Sequence, residues 1–237
     1  MKDDFTNENN LPLYSEVIYG DIYNSSVKSR LRDTKMSVFM RSFGQNKTLV
    51  DSLIREIKVG SQVLQMGLSF GNELEEAAFS VGAYGQFDII DINPTQIELK
   101  AAQLQHSWVQ IQHADATNFK PKQPYDTVIC WFLLSELPIV SKMKAINTAL
   151  ASVRKGGKVV FVDWHNPRPW HPLRYVVRMI NRLYNPFVEK LWDRDIETFA
   201  HNRSDFLWRK TTYFGGMFQK LVAIRKENPL GIKDSAD

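Results

Sequence analysis

The sequence predicts an α/β protein with a seven-stranded, mostly parallel sheet, an antiparallel C-terminal hairpin and a helical lid insertion. Three observations carry this expectation. Short β-rich apolar runs recur at 62–66, 87–92, 108–112, 127–133 and 158–163, separated by stretches long enough for a helix. Such alternation implies right-handed βαβ crossovers and a parallel arrangement. After the fifth run the pattern breaks into a segment rich in Trp, Arg and Pro, and only then do two more extended runs follow, 211–214 and 218–224, split around Gly215-Gly216 as in a hairpin.

In chain order, residues 1–12 are charged and amide-rich, as fraying ends are, and 1–58 read as an N-terminal helical cap. A helix over 73–81 follows a Gly turn, Pro94 suits the first helical position before 96–104, and 140–153 carries apolar residues at helical spacing. Residues 59–165 thus form the core, 166–208 the lid and 209–226 the hairpin of a single domain over 1–237. In the lid, Leu173, Val176, Val177, Ile180, Leu183 and Tyr184 repeat at helical spacing, while Arg174, Arg178 and Arg182 fall four apart on another face. This predicts a basic amphipathic helix ending before Pro186. It either covers the core with solvated arginines or lies on an anionic membrane surface above a greasy entrance.

Composition narrows the classes. At 237 residues, 43% hydrophobic and 24% charged, the chain is neither fibrous nor wholly disordered. A net charge of +4 without a second basic stripe gives no support for nucleic-acid binding. The lone Cys130 excludes an internal disulfide and points to a reducing compartment. The acidic, polar start is unlike a signal peptide and no apolar run is long enough to span a bilayer, so the expected location is cytoplasmic or peripheral to a membrane.

In an open parallel sheet, ligands bind beyond the carboxyl ends of the strands. The first strand runs into Met66-Gly67-Leu68-Ser69-Phe70-Gly71-Asn72-Glu73, a small-residue turn whose amides can approach a ligand before a helix begins. It lacks the full G-x-G-x-x-G pattern, which disfavours a nicotinamide oxidoreductase. Asp91 lies 24 residues beyond Gly67, where an acid can accept both hydroxyls of a ribose. Asp115, after the third strand, can accept from an adenine amine while the next amide, on Ala116, serves a ring nitrogen.

In this order these residues resemble class I S-adenosylmethionine-dependent methyltransferases, with their Rossmann-like fold, over about residues 60–165. The likeness includes Tyr125-Asp126-Thr127-Val128 and Val153-Arg154-Lys155-Gly156-Gly157-Lys158-Val159-Val160. Further stretches, Val63-Leu64-Gln65, Trp131-Phe132-Leu133-Leu134-Ser135-Glu136-Leu137-Pro138, Val160-Phe161-Val162-Asp163-Trp164-His165-Asn166-Pro167, His171-Pro172-Leu173-Arg174, Asn185-Pro186-Phe187 and Gly215-Gly216-Met217-Phe218-Gln219, resemble the rhodoquinone-biosynthesis methyltransferase-like (RquA) family. That resemblance implies conversion of ubiquinone to rhodoquinone with S-adenosylmethionine as amino donor and a divalent metal such as Mn²⁺. It also implies cofactor contacts at Gln65, Met66, Gly67, Asp91, Ile92, Asp115, Ala116 and Trp131. Where the family carries a His before the Glu of the strand-four loop, this chain has Ser135, and Tyr19-Gly20-Asp21-Ile22-Tyr23 echoes its aromatic N-terminal motif.

Methyl transfer to a phenol or ring carbon needs alignment and a proton acceptor, and Glu136 and His165 stand at strand ends where one belongs. Tyr19, Tyr23, Ser135, His171 and Arg174 are expected on the acceptor side. No short-spacing metal motif is present, so ligands for a metal are not assigned. Two rivals stand beside a quinone-modifying transferase: an ordinary small-molecule methyltransferase, and a non-catalytic cofactor- or partner-binding protein.

Overall fold

The computed structural model describes residues 42–69, 71–184 and 187–227. Its elements are α1 (Asn46–Ile54), β1 (Gln62–Met66), α2 (Glu73–Val81), β2 (Gln86–Asp91), α3 (Pro94–Gln103), β3 (Val109–His113), β4 (Tyr125–Trp131), α4 (Ile139–Ser152), β5 (Val153–Trp164), α5 (Arg174–Tyr184), α6 (Glu189–Asp193), β6 (Phe206–Tyr213) and β7 (Phe218–Arg225). The seven strands form one sheet in the order β3-β2-β1-β4-β5-β7-β6. Strands β1 to β5 run parallel, β7 is antiparallel to β5, and β6 is antiparallel to β7. The expected α/β architecture with a terminal hairpin is therefore the observed one. The strand order reverses between β1 and β4, which places the switch point at the end of β1.

Both faces of the sheet are covered, so its central strands are apolar almost throughout. Val63, Phe87, Ile89, Ile129, Val160 and Val162 pack in one core with Leu49 and Leu53 of α1 and Leu74 and Ala77 of α2. Leu64, Met66, Ile90, Val128, Cys130 and Phe161 pack in the other with Ala145, Ile146 and Ala149 of α4. Cys130 is buried there, and desolvation, with the Asp163 charge nearby, pushes its thiol far above the usual range.

Two strands begin earlier than their composition suggests. β5 follows α4 directly and spans 12 residues because Val153 already pairs with Tyr125, but the ladder is then interrupted by a bulge, since the next pair is Lys158 with Thr127. Glycine makes that start possible: Gly156 has φ +73°, and a Cβ on Gly157 would stand 2.7 Å from the Asp126 carbonyl. Strand β6 starts at Phe206 opposite Arg225, its alternation hidden by the exposed Arg209, Lys210, Thr211 and Thr212 of an edge strand.

Glu56, just past α1, ties the helical layer to the sheet. Its carboxylate receives Lys220 Nζ at 2.9 Å, Lys158 Nζ at 3.0 Å and Arg209 at 3.2 Å. Burial alone would raise the Glu56 pKa, but the hydrogen bonds and charges of Lys220 and Lys158 outweigh it and hold the carboxyl below its usual range. Replacing Glu56 with Gln leaves two lysines without their counter-ion, and an expected loss of about 3 kcal/mol follows. Urea denaturation checks it. The gap between wild type and variant should be full at neutral pH and close as pH falls through the lowered pKa of Glu56, because a depressed carboxyl stabilises only while ionised.

Candidate active site

The turn after β1 is tied to the end of β2. Gly67, at φ +86°, donates its N–H to the Ile90 carbonyl at 2.8 Å, and the Leu68 N–H donates to Asp91 Oδ2 at 2.6 Å. The other Asp91 oxygen accepts from the Asn93 N–H at 2.7 Å. Burial pushes the Asp91 carboxyl up to about 6, against those hydrogen bonds, one from Ile92, and the His113 charge. Asp88, the other acid of β2, instead accepts from the Tyr125 hydroxyl at 2.6 Å and is committed to the core.

Ile92 offers its carbonyl to His113 Nε2 at 2.8 Å, which joins the ends of β2 and β3. Asp115 caps the following turn, accepting from the Thr117 N–H at 2.8 Å and the Thr117 hydroxyl at 2.9 Å, with Ala116 half-buried beside it. Gln65 is fully buried in β1, and neither its amide oxygen nor its nitrogen has a hydrogen-bond partner among the described residues; the Ser69 hydroxyl is in the same condition. Unpaired buried amides are costly. Their position at the switch point fits the polar amino-acid part of S-adenosylmethionine, and the glycine turn and two strand-end acids fit its nucleoside. Met66 and Trp131 are buried in the two cores.

Beyond β4 and β5 lies a second group. Glu136 ends the short 3-10 turn Leu134–Glu136 and is half-buried. Ser135 is buried: its N–H donates to Asp163 Oδ2 at 3.1 Å and its hydroxyl to the Phe132 carbonyl at 3.1 Å. Asp163 also accepts from the Trp164 N–H at 2.7 Å; burial pushes it up to about 6 although the Lys142 charge and the Ser135 hydrogen bonds oppose this. Lys142, equally buried, donates to the Phe187 carbonyl at 2.9 Å and so fastens α4 to the lid.

His165 donates Nδ1–H to the Gly216 carbonyl at 2.7 Å, which leaves Nε2 with its lone pair. Burial lowers its pKa and keeps the ring neutral at pH 7. His171 has the opposite tautomer: its Nδ1 accepts from the Leu173 N–H at 3.3 Å, and the ring stands edge-on to Phe214 at 5.0 Å. Arg174, half-buried, opens α5 and donates its N–H to the His171 carbonyl. Tyr19 and Tyr23 lie outside the described residues. No group of three potential metal ligands clusters among the described residues.

Sequence reasoning missed an aromatic network over these strand ends. Phe132 meets Trp164 (6.2 Å) and Phe218 (5.8 Å), and Phe43 meets Trp164 (6.4 Å) and Phe214 (6.3 Å). Among the described residues, the non-glycine residues with positive φ are Phe43, Phe132 and Phe214, all members of this network. Bulky residues avoid that region, so strain is concentrated where these rings gather. No hydropathy pattern reports a backbone angle. The only visible signal was the density of Phe and Trp at the strand ends.

Residues 63–157 match a family model described as a methyltransferase domain. Over 125 residues the chain is 32% identical to an uncharacterized methyltransferase of Anoxybacillus flavithermus, covering 51% of this chain and 54% of that one. It therefore spans about half the length of the curated relative it matches. Among solved structures, the N-methyltransferase NodS of Bradyrhizobium japonicum WM9, in complex with S-adenosyl-L-homocysteine, is similar with a TM-score of 0.56 at 14% identity, over 91% of this chain and 99% of that one. An O-methyltransferase family protein of Burkholderia thailandensis gives 0.59 at 15% identity, over 90% and 70%. Strand order, switch-point turn and the likeness to these solved structures together show the class I methyltransferase fold, and residues 63–157 within it match the methyltransferase-domain model.

Proposed function

We propose that this protein is an S-adenosylmethionine-dependent methyltransferase-type enzyme acting on a lipophilic, quinone-type acceptor. The observation that carries the cofactor half is Asp91, whose buried carboxylate is pinned across the ends of β1 and β2 by the Leu68 and Asn93 amides. Asp91 would take the ribose, Asp115 and the Ala116 amide the adenine, and the 67–69 turn with Gln65 the amino-acid portion. When bound, S-adenosylmethionine supplies an electrophilic methyl carbon. The aromatic network and the greasy lid support a flat, apolar acceptor, and the resemblance of residues 125–224 to a quinone-modifying family points the same way. An acceptor of that kind resides in a bilayer, which places the enzyme's work at a membrane face.

His165 is the group suited to receive the acceptor's proton, because the Gly216 carbonyl holds its proton on Nδ1 and leaves Nε2 free to accept. Glu136 lies in the turn beyond the neighbouring strand β4 and would orient the acceptor hydroxyl. The burial of Ser135, with its hydroxyl and amide both engaged inside the protein, favours methyl over amino transfer, since no imidazole faces the acceptor at the position where the resembled family carries one.

The test incubates purified protein with S-adenosylmethionine, Mn²⁺ and either ubiquinone or a quinol bearing a free ring hydroxyl in detergent, with products read by mass spectrometry. A methylated quinol is the expected product, and His165→Gln should lower kcat by about 100-fold with cofactor affinity unchanged. A methoxy-to-amino exchange on ubiquinone would overturn the methyl reading. No change in either quinone, with cofactor binding shown separately, would overturn the acceptor.

A further inference from the structure

We propose that α5 and the turn before it form a docking surface for an anionic lipid bilayer. The inference deepens the lipophilic-acceptor reading and rests on it for its biological purpose. From Asn166 to Val188 the sequence contains four arginines, Arg168, Arg174, Arg178 and Arg182, and no Asp or Glu. None of the four forms an ion pair among the described residues; Arg178 lies over the Trp192 ring at 5.8 Å. The segment is a cationic strip with no internal counter-charge.

The structure divides the lid helix differently from its sequence pattern. Val177 is buried and Leu173 half-buried, facing the core with Val188 and Trp192, but Val176, expected on that same face, is 46% exposed. Tyr175 (75%), Met179 (60%) and, just upstream, Trp170 (67%) are also turned to the outside. At 3.6 residues per turn, α5 therefore carries three stripes: Leu173 and Val177 inward, then the arginines, then Tyr175, Val176 and Met179. A lid helix that only shields a core presents polar residues outward. An outward stripe of Tyr, Val and Met beside a stripe of arginines matches a helix lying in a headgroup layer, with apolar side chains among the acyl chains and guanidinium groups on lipid phosphates. Charge complementarity thus selects an anionic membrane as the occupant.

Sedimentation of the 237-residue chain with phosphatidylcholine vesicles, with and without phosphatidylglycerol, tests this in the absence of cofactor and acceptor. Binding should require phosphatidylglycerol and weaken as salt rises. The R168Q/R182Q variant should bind about 30-fold more weakly and Tyr175→Ser with Met179→Ser about tenfold, with thermal unfolding unchanged because these side chains are exposed. Equal binding to both vesicle types, or no effect of either variant, would overturn the proposal. So would light scattering that shows a dimer in wild type and a monomer in the Tyr175/Met179 variant, since the stripe would then be covered by a second copy. Vesicle binding without turnover of any quinone would instead count against the acceptor reading and leave the surface standing.

Discussion

Asp91→Ala is expected to weaken S-adenosylmethionine binding by roughly 1,000-fold, to the point where calorimetric titration detects none. The ribose hydroxyls would lose two hydrogen bonds to a charged acceptor, together worth about 4 kcal/mol. The Leu68 and Asn93 amides that shape the switch-point turn would lose their acceptor as well. Unchanged affinity would remove the nucleoside site from the end of β2. The wild-type protein carries its own control in pH. The Asp91 carboxyl is raised to about 6 by burial, so the ionised form that the proposed ribose contact needs is depleted below that value, and affinity should fall by up to tenfold per pH unit beneath it. Stability of the ligand-free protein should move the other way. For a raised carboxyl, ionisation costs folding energy above the folded pKa, and that cost is relieved as pH falls from about 6 toward the unfolded value near 3.8. Asp163, also raised to about 6, adds a contribution of the same sign. Opposite pH trends for affinity and ligand-free stability are therefore the expected signature.

Gly215→Ala should destabilise the protein by about 3 kcal/mol, lowering Tm by roughly 10 °C, and should dislodge His165 and His171. Gly215 has φ +59°, and a Cβ there would stand 2.3 Å from His171 Cδ2 and 3.1 Å from its Nε2. Its carbonyl accepts from the Arg168 N–H at 3.0 Å, and the next carbonyl, on Gly216, is the acceptor for His165 Nδ1. The β6–β7 turn is thus the mould against which residues 165–171 set. Histidine ¹⁵N chemical shifts provide a readout that loss of stability alone would not move: His165 should be protonated at Nδ1 in wild type and shift toward the Nε2–H form in the variant. Gly82 offers the comparison. It also has positive φ, +69°, with ψ 173°, but an added Cβ meets nothing closer than 3.9 Å, so Gly82→Ala should cost the backbone strain alone, about 2 kcal/mol. Equal losses at the two positions would show that the turn makes no special contact with His171.

The contrast between those glycines also marks how far the sequence could be read. The core strands and helices were legible because their residues satisfy local rules that the fold leaves intact: strand 62–66 and helix 73–81 stand at the expected residues, and Pro94 opens α3 after an Asn93 side chain that accepts from the Gln96 N–H. Strands β5 and β6 start where tertiary pairing decides, with Tyr125 recruiting Val153 and Arg225 recruiting Phe206, and no local pattern announces such partners. Asp91 stands where its spacing to Gly67 put it, at the end of β2 and hydrogen-bonded to the turn after β1. The pairing of Ser135 with Asp163, the left-handed Phe132 and the outward turn of Val176 were not legible, because each depends on a neighbour 28 or more residues away or on a backbone angle.

The sole thiol of the chain, on Cys130, is sealed in the core and held protonated, so alkylating reagents have neither access nor a thiolate to attack. The natural background is in effect cysteine-free for surface labelling. A single cysteine introduced at exposed Met179 would take a spin label or fluorophore at one position only, and its collision with a lipid-borne quencher would report the depth at which α5 sits in a bilayer.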